Sequence, residues 1–133
     1  MIYLDTNIFV YPHTGDDAAS KACIKLLESA MSEKITACTS VLTWDEFQHA
    51  LKKKFQDREK AVELSRDFLS MPNITFFDTN KEIIEKAQKL TEKYNIAPRD
   101  AIHAATAITN GIKEIISDDP DFDKITEIKR TAP

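Results

Sequence analysis

Several acidic residues of the sequence lie where carboxylates could act together on a metal ion. Asp5 directly follows a short apolar segment at residues 2–4, and Asp118 and Asp119 lie just past another at residues 115–116. If these segments are neighbouring parallel strands, their carboxyl ends meet at one edge of a sheet, where α/β proteins place ligands. Carboxylates so close repel one another unless a cation lies between them, and Mg²⁺ prefers oxygen ligands. The pattern predicts a metal site suited to phosphate chemistry.

Glu46 and Asp100 are two further acids in suitable positions. Glu46 lies in the first turns of a predicted helix, and Asp100 lies in the first turn after a proline. Both also have purely structural explanations, because Glu46 could form a capping box with Thr43 and Asp100 could favour the positive end of its helix. The same holds for Asp5, which suits a helix start, and for Asp119, which precedes a proline in good turn chemistry. Residue types and spacing leave both explanations open.

Apolar and helix-period segments alternate along the chain and must position these acids. The predicted strands are residues 2–4, 35–39, 74–77, 115–116 and, at the sheet edge, 127–129. Helical periodicity predicts helices at residues 16–33, from about 41 to 55, after Asp57 up to Pro72, after Thr79, and from Pro98 to Gly111. A Thr79-x-x-Glu82 capping box opens the fourth of these helices, which is expected to bury Ile83, Ile84, Ala87, Leu90 and Tyr94. Residues 11–17, with Pro12 and His13, follow no pattern that we can assign.

Strands separated by helices imply parallel pairing. We therefore predict an α/β fold, a three-layer α/β/α sandwich around a mostly parallel sheet of four to five strands. No repeat, low-complexity tract or Pro/Gly/Ser-rich linker interrupts the 133 residues, and this length is typical of one domain. The sequence predicts a single domain over residues 1–133.

Composition excludes two classes of nucleotide-binding enzyme. The chain has only two glycines, Gly15 and Gly111, so neither a Walker A loop nor a dinucleotide-binding glycine motif is present. The formal net charge of −4 argues against simple electrostatic binding of nucleic acid. Two bound divalent ions would change this balance from −4 to 0, and an acidic protein could then accept a polyanion.

The sequence favours a cytoplasmic protein without membrane contact. No apolar run approaches the ~20 residues of a membrane span, and the first residues lack the basic region of a signal peptide. The two cysteines, Cys23 and Cys38, form neither a disulfide framework nor a metal-binding pair. The lack of a signal-peptide region and the lack of a disulfide framework both fit a reducing compartment such as the cytoplasm.

Four segments, taken together and in this order, resemble the PIN-domain ribonucleases, particularly the VapC-type toxins of prokaryotic toxin–antitoxin pairs. They are IYLDTNIF at residues 2–9, TSVLTWDE at 39–46, RDAIHAATA at 99–107 and ISDDPDF at 116–122. Each motif alone would be weak, but the set spans nearly the whole chain at the spacing of the family. The resemblance therefore carries the family's PIN-like fold as an expectation.

The resemblance also implies a catalytic quartet of metal ligands, made of Asp5, Glu46, Asp100 and Asp119, with Glu46 reaching the metal through water in many members. Asp119 matches the last acid because the family pattern places an Asp two residues after a Ser or Thr, here Ser117. The ion would be Mg²⁺ or Mn²⁺, which both suit carboxylate ligands.

A second set of residues is expected around the quartet. Asp121 matches a frequent extra acid with a second-metal or structural role, and Thr6, Asn7 and Ser117 are expected to orient ligands or phosphate. Arg99 is a candidate for a phosphate contact or for pairing with a site carboxylate. The three lysines at residues 52–54 are interpreted as a solvated helix end. His103 is interpreted as a polar member of its helix, although it lies three residues after Asp100 and could point toward the site.

The function that follows from the resemblance is hydrolysis of RNA phosphodiester bonds, with an antitoxin protein and a second copy of the chain as expected partners. A nuclease of RNA processing is one alternative, and a PIN-fold module that binds RNA or protein without turnover is another. A haloacid-dehalogenase-type phosphatase fits poorly, because it would need an Asp where the sequence has Asn7. A response-regulator receiver domain fits poorly too, because its paired acids and its lysine are missing.

Overall fold

Five short strands form one parallel sheet in the computed structural model, which describes residues 1–133. The strand order is β3-β2-β1-β4-β5, and every neighbouring pair is parallel. The strands are β1 (Ile2–Leu4), β2 (Ala37–Ser40), β3 (Ile74–Phe77), β4 (Glu114–Ile116) and β5 (Lys129–Thr131). Leu4 at the end of β1 pairs with Ile116 at the end of β4, so these two strands finish side by side.

Helices connect the strands and cover both faces of the sheet. They are α1 (Thr6–Thr14), α2 (Ala18–Met31), α3 (Leu42–Phe55), α4 (Arg58–Leu69), α5 (Lys81–Lys93) and α6 (Pro98–Thr109), and a short 3-10 helix spans Pro120–Lys124. Because side chains alternate along a strand, Tyr3 packs with α5 and α6 on one face, while Leu4 packs with α1 to α4 on the other. The predicted three-layer α/β/α sandwich with a parallel sheet is confirmed.

Two hydrophobic cores share this sheet, one on each face. The larger side chains on the α1–α4 side include Phe9, Phe47 and Phe68, whose rings pack at centroid distances of 5.0 Å. The opposite core is built largely from the small residues of α6, such as Ala101, Ala104 and Ala105, against Tyr3 and Ile115. Since both cores need the same sheet, we infer that the chain folds as one domain.

One helix was absent from the sequence-based expectation. Helix α1 covers most of the segment that followed no assignable pattern, and it contains Pro12 in its interior. The Asp5 side chain caps it by accepting from the Thr6 N–H, and burial of Ile8 and Phe9 stabilises its inner face. Pro12 normally breaks helices, which is why the sequence pattern was uninformative here.

Two details of α5 differ from expectation. Its N-cap is Asn80, whose side chain accepts from the Ile83 N–H, so the predicted capping box starting at Thr79 is wrong by one residue. Thr79 instead hydrogen-bonds to Ser40, with 3.0 Å between the two hydroxyl oxygens. Ile84 is 44% exposed rather than buried.

The edge strand also differs in position. β5 begins at Lys129, two residues after the predicted start, because Ile128 turns into the core while Lys129 to Thr131 pair with β4. No helix of this fold combines the length and apolar character that crossing a bilayer requires.

Candidate active site

A cleft of about 300 Å³ opens where β1 and β4 end. All four acids of the predicted quartet line this cleft, and so does Arg99. The four acids are Asp5, Glu46, Asp100 and Asp119. Asp5 follows β1, Glu46 lies in the first turns of α3, and Asp100 lies in the first turn of α6. Asp119 precedes the 3-10 helix after β4. The fold therefore gathers acids that are far apart in the sequence.

Asp5 is the most rigidly placed of these acids. Its Oδ1 accepts from the Thr6 N–H at 2.8 Å, and its Oδ2 accepts from the Ser117 hydroxyl at 2.6 Å and the Asn7 amide at 3.1 Å. The residue is 6% exposed. These three hydrogen bonds hold the Asp5 carboxylate in one orientation at the end of β1.

Ser117 and Asn7 connect the ends of the two strands. The Ser117 hydroxyl donates to Asp5 and accepts from the Asp119 N–H at 3.0 Å, while Asn7 donates to the Ser117 oxygen at 3.3 Å. The Asn7 side-chain oxygen accepts from the Asp118 N–H at 3.4 Å. These bonds set the position of the segment after β4 relative to Asp5, as an orienting role requires.

Three carboxylates converge closely enough to share one ion. Asp100, Asp119 and Asp121 each offer an oxygen within 4.8 Å of the other two. Asp121 is held there because its N–H donates to Asp119 Oδ1 at 2.9 Å. Asp5 and Glu46 line the same cleft without being part of this trio. The structure thus brings Asp121, a secondary candidate in the sequence, next to Asp100 and Asp119, although Asp121 itself does not line the cleft.

The donor set fits a hard divalent cation. Only carboxylate oxygens converge here, and neither cysteine takes part, since both are buried in the cores. Burial and the neighbouring Asp119 and Asp5 carboxylates raise the pKa of Asp100 to about 6. Mutual repulsion of this kind is what a bound cation relieves.

Glu46 contacts a residue that sequence reasoning left undecided. His103 of α6 is fully buried, and its Nε2 lies 2.5 Å from Glu46 Oε1. Its Nδ1 lies 2.6 Å from the Tyr3 hydroxyl. Burial by itself lowers the pKa of His103, but the hydrogen bond with Glu46 and the charge of Asp5 outweigh it and raise the pKa above its usual range. The only signal in the sequence was the three-residue spacing from Asp100.

The capping-box explanation of Glu46 does not describe the structure. Thr43 bonds to the Thr39 hydroxyl at 2.7 Å, and the first turn of α3 is instead capped by the Ser40 hydroxyl, which accepts from the Leu42 N–H at 3.1 Å. The Glu46 carboxylate is therefore free to face the cleft and His103.

Asp118 and Asp119 point to different surroundings. Asp118 accepts from the Tyr11 hydroxyl at 2.7 Å, outside the acidic trio, whereas Asp119 lines the cleft. Burial and this bond raise the pKa of Tyr11 to about 12. Arg99 lies at the cleft with its guanidinium 3.6 Å from Asp45. Lys52, Lys53 and Lys54 lie exposed in the last turn of α3, as a solvated helix end would.

Arg130 of β5 contacts the segment that carries Asp119 and Asp121. The sequence did not predict this role for Arg130. Its Nη1 donates to the Ser117 carbonyl at 3.0 Å, and its Nε and Nη2 both bind the Asp123 carboxylate at 3.0 Å. This two-point contact joins the edge strand to both ends of the segment that carries Asp119 and Asp121.

Comparison with known proteins gives a consistent result. The PIN domain family model matches residues 2–128. The ribonuclease VapC7 of Mycobacterium tuberculosis is 27% identical over 136 aligned residues, which cover 100% of this chain and 92% of that protein.

Two solved structures share the fold. One is the Mycobacterium tuberculosis toxin VapC20, described as cleaving the sarcin-ricin loop, with a TM-score of 0.76 and 16% identity over 92% of this chain and 93% of that one. The other is a toxin–antitoxin complex from Klebsiella pneumoniae, with a TM-score of 0.69 and 22% identity over 97% of this chain and 96% of that one.

Proposed function

This chain belongs to the PIN domain family, and we propose that it is a divalent-metal-dependent ribonuclease that hydrolyses RNA phosphodiester bonds. The observation that carries the proposal is the convergence of Asp100, Asp119 and Asp121 beside a cleft that Asp5, Glu46, Asp100 and Asp119 line. The ribonuclease named above aligns with the full length of this chain, which supports the same reaction.

The proposed metal ligands are Asp5, Asp100 and Asp119, with Glu46 and Asp121 completing the set. A bound Mg²⁺ or Mn²⁺ would supply a Lewis acid that makes water a better nucleophile and stabilises charge on the phosphate. Ser117, Asn7 and the Thr6 N–H orient Asp5 through the hydrogen bonds described above. Because these bonds exist before any ligand arrives, the carboxylate needs no rearrangement to bind.

Arg99 is the proposed contact for the RNA backbone. It lies at the cleft, is more than half exposed, and its ion pair with Asp45 at 3.6 Å is too open to neutralise it in water. A guanidinium can bind phosphate oxygens at two points, so the substrate strand would pass between Arg99 and the acids.

We further propose that the protein is the toxin of a toxin–antitoxin pair acting in the cytoplasm. The Klebsiella pneumoniae structure is a complex of that kind and has the same fold, which supports an antitoxin partner here. A homodimer, expected from the resemblance, stays a prediction.

The decisive experiment incubates purified, antitoxin-free protein with a mixed RNA pool in Mg²⁺, Mn²⁺ or chelator. We expect discrete cleavage that requires metal. Asp5→Asn and Asp119→Asn should each lose more than about 100-fold, since even residues that only support metal ligands cost 10–100-fold when removed.

Asp118→Asn is the matched control, because it removes the same charge one residue away from Asp119 and outside the cleft. It should cleave like the wild type. Cleavage that survives chelation and Asp5→Asn would refute the proposed mechanism. Folded protein that binds RNA but cleaves none of the pool under any condition would favour a binding module without turnover.

A further inference from the structure

His103 is a buried polar residue whose two ring nitrogens both have partners in other elements. Tyr3 comes from β1, His103 from the middle of α6, and Glu46 from α3, so two short hydrogen bonds join three elements. The Tyr3 and His103 rings also meet edge to face, with centroids 5.7 Å apart. Neither Tyr3 nor His103 lines the cleft. His103 reaches the site through Glu46 and, at longer range, through Nε2 distances of 3.4 Å to the Thr6 hydroxyl and 3.7 Å to Asp5 Oδ1.

The direction of each hydrogen bond follows from what the atoms can donate. A carboxylate only accepts, so Nε2 of His103 carries the proton that it shares with Glu46. Tyr3 is fully buried, and its phenol hydroxyl can donate one hydrogen bond. In the neutral ring that hydroxyl donates to Nδ1, which selects the tautomer with Nε2 protonated. Tyr3 thus favours the tautomer in which the nitrogen that faces Glu46 carries the proton.

Glu46 has no other hydrogen-bond partner in the protein. Its side chain is 18% exposed at the edge of the cleft, and Oε1 is bound by His103 while Oε2 makes no hydrogen bond. A glutamate side chain without a partner samples several rotamers. The bond from His103 restricts this freedom and leaves one carboxylate oxygen available.

We propose that Tyr3 and His103 are positioning residues that orient the Glu46 carboxylate for its part in holding metal. This inference rests on the proposed function and extends it to two residues that touch neither RNA nor metal. Supporting residues of this kind orient metal ligands in many sites. His103 is the direct partner, and Tyr3 acts one step behind it.

The first test observes the protonation of His103 directly, in the wild type and in Glu46→Gln. Long-range ¹H–¹⁵N spectra of the metal-free protein report which imidazole nitrogen carries a proton, and only three histidines contribute signals. We expect the His103 signal to show a protonated Nε2 that shifts in Glu46→Gln. An Nε2 without a proton would overturn the proposal.

The second test compares His103→Gln with His103→Asn. The glutamine amide reaches the place of Nε2 and can donate to Glu46, whereas the asparagine amide reaches only the place of Nδ1. We expect Mn²⁺ affinity, measured by calorimetry without RNA, to stay within about threefold for the Gln variant and to fall about tenfold or more for Asn. The kcat for RNA should follow the same order with KM unchanged. His49→Gln, an exposed histidine on α3, should change nothing.

Two outcomes separate positioning from a merely structural role. If His103 acts through Glu46, then His103→Asn should add no further loss of Mn²⁺ affinity in a Glu46→Gln background. Equal losses in the Gln and Asn variants, with equal melting temperatures, would overturn the proposal. Failure of the proposed function looks different, because the wild type itself would then show no metal-dependent cleavage.

Discussion

At the scale of single residues, the pKa of Asp100 reflects burial and the mutual repulsion of the neighbouring carboxylates. Burial and the Asp119 and Asp5 carboxylates raise its pKa from 3.8 to about 6. The folded state therefore binds a proton on Asp100 more tightly than the unfolded chain does. This group contributes most to stability at acidic pH, and its contribution is lost as the pH rises through about 6. Metal bound at neutral pH would replace the proton and reverse the loss.

Replacing Asp100 by Asn should therefore stabilise the metal-free protein at about pH 7.5 and have little effect at about pH 3.5, below the pKa of 3.8 of the unfolded chain. The full shift corresponds to about 3 kcal/mol, which partial exposure and loss of a favourable helix-dipole contact reduce to about 1 kcal/mol. We expect a melting temperature about 3 °C higher than wild type at the higher pH, measured by circular dichroism in chelator.

The metal dependence of that difference provides its control. Added Mn²⁺ should raise the melting temperature of the wild type at about pH 7.5 and raise that of Asp100→Asn much less, because ligand binding stabilises only a state that binds it. A variant less stable than wild type at both pH values would show that Asp100 is not under electrostatic strain.

The sequence located the acids better than it located their supporting residues. The positions of Asp5 and Asp119 could be predicted because the carboxyl ends of parallel strands share one edge. Those of Glu46 and Asp100 could be predicted because the sequence indicates where their helices begin. Their roles as ligands remain predictions. The contact of His103 with Glu46 could not be read, since it joins residues 57 positions apart and depends on how α6 packs against the sheet. Asp121 enters the acidic trio through a local backbone bond that composition does not show.

At the scale of elements, strand and helix cores were predictable and their ends were not. β3 has the expected bounds, whereas β5 starts two residues later than expected because Ile128 faces the core. α5 is capped by Asn80 although Thr79 with Glu82 offered an equally good capping pattern. The local pattern predicted Thr79, whose hydroxyl instead contacts Ser40, and this contact follows from the pairing of β2 with β3. Arg130 is a similar case, because its partners lie in a different segment.

The ends of α3 and α6 allow a test of backbone strain. Gln56 ends α3 in the left-handed region at φ 51°, and Gly111 follows α6 at φ 73°. We expect Gln56→Gly to stabilise by about 0.5–1 kcal/mol and Gly111→Ala to destabilise by about 1 kcal/mol, because only glycine adopts this region without cost. A Cβ at Gly111 would meet no atom within 4 Å, so strain alone acts there. Urea midpoints at unchanged m-value would measure both effects.

Gln56→Ala separates strain from loss of the glutamine side chain. It keeps a Cβ in the left-handed region, so it should not share the gain of Gln56→Gly. If the Ala and Gly variants gain stability alike, the glutamine side chain rather than the backbone is the source of the cost.

At the scale of the whole molecule, the pairing of β1 with β4 determines where the acidic residues meet. The sequence predicted a shared edge only if the first and fourth strands were neighbours, and β1 does pair with β4 at Leu4 and Ile116. The Asp5 N–H also donates to the Ile116 carbonyl at 3.1 Å. The alternation of strands and helices indicated the layers and the parallel direction. The strand order itself depends on long-range packing of α1 to α4 on one face and α5 with α6 on the other, which no local pattern encodes.

The charge of the whole protein leads to a last prediction about RNA binding. The net charge is −4, and the cleft concentrates carboxylates, so metal-free protein should repel a polyanion. Added Ca²⁺, which takes the same oxygen ligands, should strengthen binding of single-stranded RNA at least about tenfold, measured by fluorescence anisotropy with cleavage checked on gels. Because few cations contact the strand, the slope of log K against log salt should be only about −1 to −2.

Two substitutions that each remove one positive charge, at different places, test where the RNA lies. Arg99→Gln acts at the cleft and should reduce the salt slope by about 0.7, the value for one phosphate contact on a single strand. Lys52→Gln acts six residues beyond Glu46, about 9 Å along α3, and should leave both slope and affinity near wild type. Equal effects of the two would mean that RNA responds to the diffuse charge of the surface. Strong binding in chelator would mean that the acids do not need a cation to admit the strand.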